Sequence, residues 1–254
     1  MIPTSGEFNL LNHKGNLDDI KQRIGVLPDY SSFYDNLSAK EHLKYFSKLS
    51  GKKLSNTKIS ETLELVGLKE HQNKKVGKFS FGMKKKLGIA QAIVHDPELI
   101  FLDEPTSGID AEAVIQIQML IKELNRQGKT IFMTSHNLDE VEKICTHIAI
   151  MKEGEIFTQG SMEELRKAYQ STLTVRIKLS PTLSIDNKLK IETIISQHIY
   201  KYEWDNNYLV TEVVTEEDIP VLLNLLMSIG ISIYAVNIIE PSLEEIFLEQ
   251  HVNL

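Results

Sequence analysis

The residues with the clearest chemistry are Asp103 and Glu104, which follow the apolar run Leu99-Ile100-Phe101-Leu102. Such a run reads as a buried strand, and adjacent acids at its C-terminal end stand where an open α/β sheet keeps its ligands. Carboxylates placed there suit a bound Mg2+ and a polarised water. Upstream, Phe79-Ser80-Phe81-Gly82 is a turn that opens a helix, and Ser80 and Gly82 at its positive end suit a phosphate approached by hydroxyl and backbone N–H. Each feature taken singly has a plainer reading. An Asp-Glu pair is often a solvated strand end, a lone histidine such as His71, His95, His136 or His147 is usually structural, and Lys84-Lys85-Lys86 reads as a solvated helix face.

These residues need elements to hold them. Ile24 to Leu27 is an apolar run of strand length closed by Pro28, and Thr130 to Thr134 is another that delivers Ser135-His136 to its end. Before the first helix, Phe8 to Leu10 reads as a short strand, His13 to Asn16 as a turn, and Asn16 as a cap for Leu17 to Arg23. Ser38 with Glu41 is a capping box ahead of a helical stripe that stops at Gly51; Ile59, Leu63 and Val66 stripe a second helix. Asp110 caps a helix to about Gln127, and strands alternate with helices thereafter, which calls for a parallel sheet. Ser161 with Glu164 caps another helix ending near Tyr169. Beyond it the order β-α-β-β-α-β suggests a small ferredoxin-like unit. The domain limits expected are 1–169 and 170–254.

Composition narrows the class. With 25% charged residues, 42% hydrophobic and a net charge of -7, the chain is ordinary for a globular protein and unsuited to general nucleic-acid binding. The lone cysteine, Cys145, excludes an intramolecular disulfide and reads as a small buried hydrophobe. Val221 to Ile239 is rich in apolar residues, but Asn224, Ser228, Gly230, Ser232 and Asn237 interrupt it, so it reads as helix plus strand.

In order, these motifs resemble the ATP-binding subunits of ABC transporters, from about Pro3 to the C-terminus. Phe79-Ser80-Phe81-Gly82-Met83 is similar to the Leu-Ser-Gly-Gly-Gln signature, Leu99 to Glu104 to the Walker B strand, Ser107-Gly108-Ile109-Asp110 to the D-loop, and His136 to the switch histidine. Ile24 to Asp29 resembles the approach to the Q-loop, and Pro241 to Phe247 the end of an accessory domain of drug- and peptide-exporting members. The resemblance implies a P-loop NTPase-like parallel sheet with a helical insertion, followed by the ferredoxin-like α+β domain. It implies that Asp103 holds Mg2+, that Glu104 is the general base, and that His136 positions the water at the γ-phosphate. Ser80, Gly82, Asp110 and Asp29 become ATP-binding positions. The partners implied are a transmembrane permease and a second ATP-binding subunit in a homo- or heterodimer, with the chain cytoplasmic and peripheral on the inner face of the membrane.

Three departures bear on function. Asp29 stands where a glutamine is expected, and Phe79, Phe81 and Met83 replace three signature residues. The loop G-x-x-x-x-G-K-[ST] is absent: Gly128-Lys129-Thr130 follows a helix and enters a strand, the reverse of a phosphate-binding loop. Pro3 to Glu7 resembles a segment that comes shortly after that loop in the family. The resemblance therefore implies an N-terminally incomplete ATPase domain with an apolar gap in its sheet and impaired ATP binding. Two other readings stand beside the transport ATPase: a non-catalytic partner supplying Ser80 and Gly82 in trans, and an ABC protein of repair or translation.

Overall fold

The computed structural model describes residues 4–14, 18–49, 51–169, 172–197 and 201–246. Two compact units divide the chain, Met1–Glu140 and Val141–Leu254.

In the first unit, β1 (Asn9–Leu10) pairs antiparallel with β2 (His13–Lys14). The turn lies at Leu11 and Asn12, and His13 and Lys14, expected in a turn, are strand, while Gly15 and Asn16 of that expected turn lie outside the described residues. Leu11 and Asn12 have positive φ, 50° and 65°, the left-handed pair that a two-residue hairpin needs to match strand twist. Asn16 and its expected capping role lie outside the described residues. A 3₁₀ turn at Asp18–Arg23 leads into β3 (Ile24–Leu27). Helix α1 (Ala39–Leu49) begins on the expected capping box: Ser38 N–H and O–H donate to Glu41 at 2.8 and 2.7 Å, and Glu41 N–H returns to Ser38 Oγ at 3.3 Å. Helix α2 (Asn56–Leu65) follows, and the two bury Leu43, Ile59 and Leu63.

Helix α3 (Phe81–Ile93), β4 (Leu99–Asp103), α4 (Ala111–Arg126), β5 (Thr130–Thr134) and α5 (Leu138–Ile144) follow in order. Strands β3, β4 and β5 form a parallel sheet with β4 in the middle. Gly25 is required where α3 crosses it, because a Cβ there would sit 2.1 Å from the Ala92 carbonyl oxygen. The opposite face carries the row Val26, Phe101 and Phe132, register neighbours in β3, β4 and β5. Val26 is 52% and Phe132 59% exposed, so the described residues leave an apolar face of this sheet uncovered.

The second unit opens with a hairpin of β6 (His147–Lys152) and β7 (Glu155–Ser161), turned by Glu153 and Gly154 with positive φ. The Ser161–Glu164 box then caps α6 (Met162–Tyr169). Next come β8 (Leu173–Leu179), α7 (Ile185–Gln197), β9 (Tyr202–Asp205), β10 (Tyr208–Val213), α8 (Asp218–Ser228) and β11 (Ile233–Ile239). The antiparallel sheet has the order β11-β8-β10-β9, which is the ferredoxin-like arrangement. Val175, Ile177 and Leu209 pack on Ile191 and Ile195 of α7 and Leu222 and Leu226 of α8.

The compact division falls earlier than residue 169 for a physical reason. Arg166 of α6 pairs with Glu142 and Glu240 and donates to the Pro241 carbonyl at 3.1 Å, while Leu243 N–H reaches Glu142 at 3.4 Å. These bonds tie the end of α5 and α6 to the chain beyond β11.

Candidate active site

Asp103 and Glu104 leave the middle strand of the parallel sheet, the one position flanked on both sides. Asp103 lies opposite Thr134 in the ladder and accepts a hydrogen bond from its hydroxyl. Glu104 turns sharply, with φ of 48°, a left-handed conformation that costs a non-glycine residue about 1–3 kcal/mol. Four bonds hold it there. Its N–H donates to the Thr134 carbonyl at 3.2 Å and lies 3.3 Å from the Thr134 hydroxyl, and its carbonyl accepts from Lys85 Nζ at 2.8 Å and from the Ser107 N–H at 3.3 Å. The strained backbone aims the Glu104 carboxylate at His136, whose Nδ1 lies 2.9 Å from Oε2. His136 follows β5, is 77% exposed, and has its pKa raised by that hydrogen bond and by the charge of Glu104.

His136 is itself held from behind. The Thr106 hydroxyl, one residue past Pro105, donates to the buried carboxylate of Glu140, whose N–H bonds Asn137 Oδ1 at 3.2 Å. The turn after Glu104 and the start of α5 are thereby fastened together, with His136 beside the joint.

Lys85 corrects the expectation of a solvated lysine face. It is only 5% exposed, and its ammonium donates to the Asp29 carbonyl at 3.1 Å, Asp29 Oδ1 at 3.3 Å and the Glu104 carbonyl at 2.8 Å. A lysine has three donors, and all three find an acceptor. Asp29 is thus joined to the acidic end of β4 through Lys85. Helical spacing carried the signal: Gly88, Ile89 and Ala92 are buried core positions, and counting back three or four residues from Gly88 and Ile89 lands on Lys85.

Ser80, Gly82 and Asp110 form a separate group at the starts of α3 and α4. Ser80 is the N-cap of α3 and accepts from Met83 N–H at 3.3 Å, which leaves its hydroxyl proton available. Asp110 caps α4, with Oδ1 2.9 Å from Ala113 N. Gly82 lies against the start of α4, where an added Cβ would meet Ala113 Cβ at 3.4 Å, an ordinary van der Waals contact. Gly108, at φ of 74°, lies under the Phe81 ring, 3.1 Å from where its Cβ would be. The signature-like and D-loop-like segments therefore pack on each other. The sequence-predicted residues fall into two sets: Asp29, Asp103, Glu104 and His136 linked through Lys85 and Thr134, and Ser80, Gly82 and Asp110 at the helix starts. Thr134 carried no signal of its own, because its role depends on strand register.

A family model described as "ABC transporter" matches residues 1–107, and one described as "ATP-binding protein DrrA1-3-like, C-terminal domain" matches residues 160–251. The bacitracin transport ATP-binding protein BcrA of Bacillus licheniformis is 35% identical over 252 residues, 97% of this chain and 79% of that protein. The chain belongs to the ABC transporter ATP-binding family. An uncharacterized ABC transporter ATP-binding protein, YxlF of Bacillus subtilis, is 38% identical over 79% of this chain and 66% of its own length. A solved structure titled as the ATP binding subunit of an ABC transporter superposes with a TM-score of 0.58 at 24% identity, covering 66% of this chain and 72% of that one, which supports the P-loop NTPase-like fold.

Family members are ATPases that bind ATP and work with transmembrane permeases. With one oxygen of Asp103 bonded to Thr134, the other suits a Mg2+ that keeps most of its shell in phosphates and water. Among the described residues no group of three or more His, Cys, Asp or Glu could hold a metal ion. The 254 residues contain no phosphate-binding loop. Gly128-Lys129-Thr130 does not substitute for one, because Lys129 is paired with Asp96 at 2.6 Å.

Proposed function

We propose that this chain is the ATP-hydrolysing subunit of an ABC exporter, acting as a dimer on a separate membrane permease from the cytoplasmic face. The Glu104–His136 couple beside Asp103, on a strained turn at the end of the central strand, carries the reading. Glu104 takes the proton of the attacking water as general base. His136, whose proton is held more tightly because of Glu104, keeps that carboxylate oriented and leaves Nε2 to face the transferred phosphoryl group. Asp103 holds Mg2+, which neutralises charge on the phosphates when bound. Ser80, with its free hydroxyl proton, and the Gly82 amide at the start of α3 address a phosphate of ATP held by the opposite subunit. Asp110 and Asp29 border the two halves of the site. Among described residues no helix is long and apolar enough to cross a membrane, in keeping with a permease as a separate partner. The similarity to a bacitracin transport ATP-binding protein favours a transported compound of that kind.

The 254 residues alone should bind ATP weakly, because the loop amides and lysine that supply most phosphate contacts are not among them. Micromolar affinity by calorimetry overturns that. A second reading, the non-catalytic partner, is favoured by the exposed and accessible Ser80. Mixing the chain with a complete paralogous subunit separates the two. Ser80→Arg abolishes the combined ATPase activity under both readings, whereas Glu104→Gln lowers it by about 10²–10⁴-fold only if this chain catalyses. Turnover indifferent to Glu104→Gln makes the chain a partner without catalysis.

A further inference from the structure

Helix α3 begins at the Ser80 cap and, one turn later, drives Lys85 under the end of the sheet. The Lys85 ammonium bonds both the loop after β3 and the turn after β4, through the Asp29 carbonyl and carboxylate and the Glu104 carbonyl. It also lies 5.9 Å from the centre of the Phe81 ring, which rests on Gly108. A left-handed glutamate returns to ordinary backbone space unless its peptide groups are restrained. On one side of Glu104 the restraint is Thr134; on the other the shortest bond is from Lys85 at 2.8 Å, beside the longer one from the Ser107 N–H at 3.3 Å.

We propose that Lys85 is the positioning residue for Glu104: by bonding the Glu104 carbonyl and Asp29 together it sets the direction of the Glu104 carboxylate from helix α3. A displacement of α3 at Ser80 is thereby passed to Glu104 through one side chain, without passing through the sheet. The role of Glu104 as base rests on the function proposed above; the restraint itself does not.

The test uses the full chain with Lys85→Met and Asp29→Asn. The scalar coupling between Glu104 Hα and the carbonyl carbon of Asp103, measured by NMR, is large only at positive φ and so reads the left-handed conformation. Lys85→Met moves that coupling to the value of an ordinary extended or helical residue, and Asp29→Asn, which leaves the Lys85–Glu104 bond, does not. Lys85→Gln, whose shorter amide cannot span both loops, serves for the same reading if the methionine variant does not fold. In the mixture with a complete subunit, Lys85→Met lowers kcat on the order of a hundredfold with KM little changed, the pattern of a misplaced catalytic group. An unaltered Glu104 coupling in Lys85→Met or Lys85→Gln overturns the proposal whatever the activity. A changed coupling in a mixture where Glu104→Gln is without effect keeps the restraint and removes the catalytic reading.

Discussion

The ferredoxin-like sheet of the second unit and the parallel sheet of the first bury their strands to different degrees. The former covers one face with α7 and α8, which enclose Val175, Ile177, Leu209 and Leu226 completely. The latter has α3 against one face, while Val26 and Phe132 on the other are more than half exposed. Parallel strands are ordinarily buried on both faces, and the near-continuous apolar run Leu99 to Leu102 is of that kind. The chemistry is divided the opposite way. Among its described residues the well-covered sheet presents no candidate catalytic group, whereas the less covered one carries the positive-φ Glu104, the Glu104–His136 couple and the buried Lys85. Stability in the second unit rests on packed side chains; the geometry of the first unit's site rests on a few long-range hydrogen bonds.

If that contrast holds, truncations of similar chemistry have unequal consequences. Leu226→Ala, in the closed core, costs about 2–5 kcal/mol. Trp204, the only tryptophan and part of β9, reports the loss as an earlier urea transition in fluorescence. Gly25→Ala forces a Cβ into the Ala92 carbonyl and costs the first unit roughly 1–3 kcal/mol or more, visible as faster amide exchange in α3 and β3 with the Trp204 transition unmoved. Phe132→Ala, despite removing a whole ring, stays within about 0.5 kcal/mol and leaves both readouts unchanged. A large loss at Phe132 shows that the apolar face is covered in solution, and the contrast between the sheets then disappears.

The smallest effects are in proton binding. His136 titrates above the ordinary histidine range, and Glu104→Gln returns it toward that range in an NMR titration. Its folded pKa is raised, so its contribution to stability is complete below the unfolded value of about 6.5 and is lost as pH rises through the folded value. His42 and His95 act with the opposite sign. Burial lowers both, so their contribution is present above about 6.5 and is lost as pH falls through their folded values. Substituting either buried histidine by Gln makes acid unfolding of the first unit less steep.

Much of this architecture is local and therefore legible in the order of the amino acids. The capping pairs Ser38–Glu41 and Ser161–Glu164, the caps Ser80 and Asp110, and the strands Ile24 to Leu27 and Thr130 to Thr134 all follow from side chains acting on their own neighbours. The order of apolar runs also put Asp103, Glu104 and His136 at strand ends on one sheet. Sequence failed at His13, where a hairpin turn with two positive φ values displaced the expected one, since neither Leu11 nor Asn12 is followed by the glycine that usually marks such a turn.

Three features belong to packing alone. The pairing of Thr134 with Asp103 depends on the register of β4 against β5. The left-handed turn at Glu104 is held by Thr134 on its N–H and by Lys85 and the nearby Ser107 N–H on its carbonyl, and two of those three partners are distant in the chain. The burial of Lys85 places an ammonium between loops whose acceptors, at Asp29 and Glu104, are 56 and 19 residues away along the chain. Residue type and spacing specify a helix, a strand or a cap because those interactions span a few positions. Which lysine of three leaves solvent to set a catalytic glutamate depends on acceptors that only the folded sheet brings together.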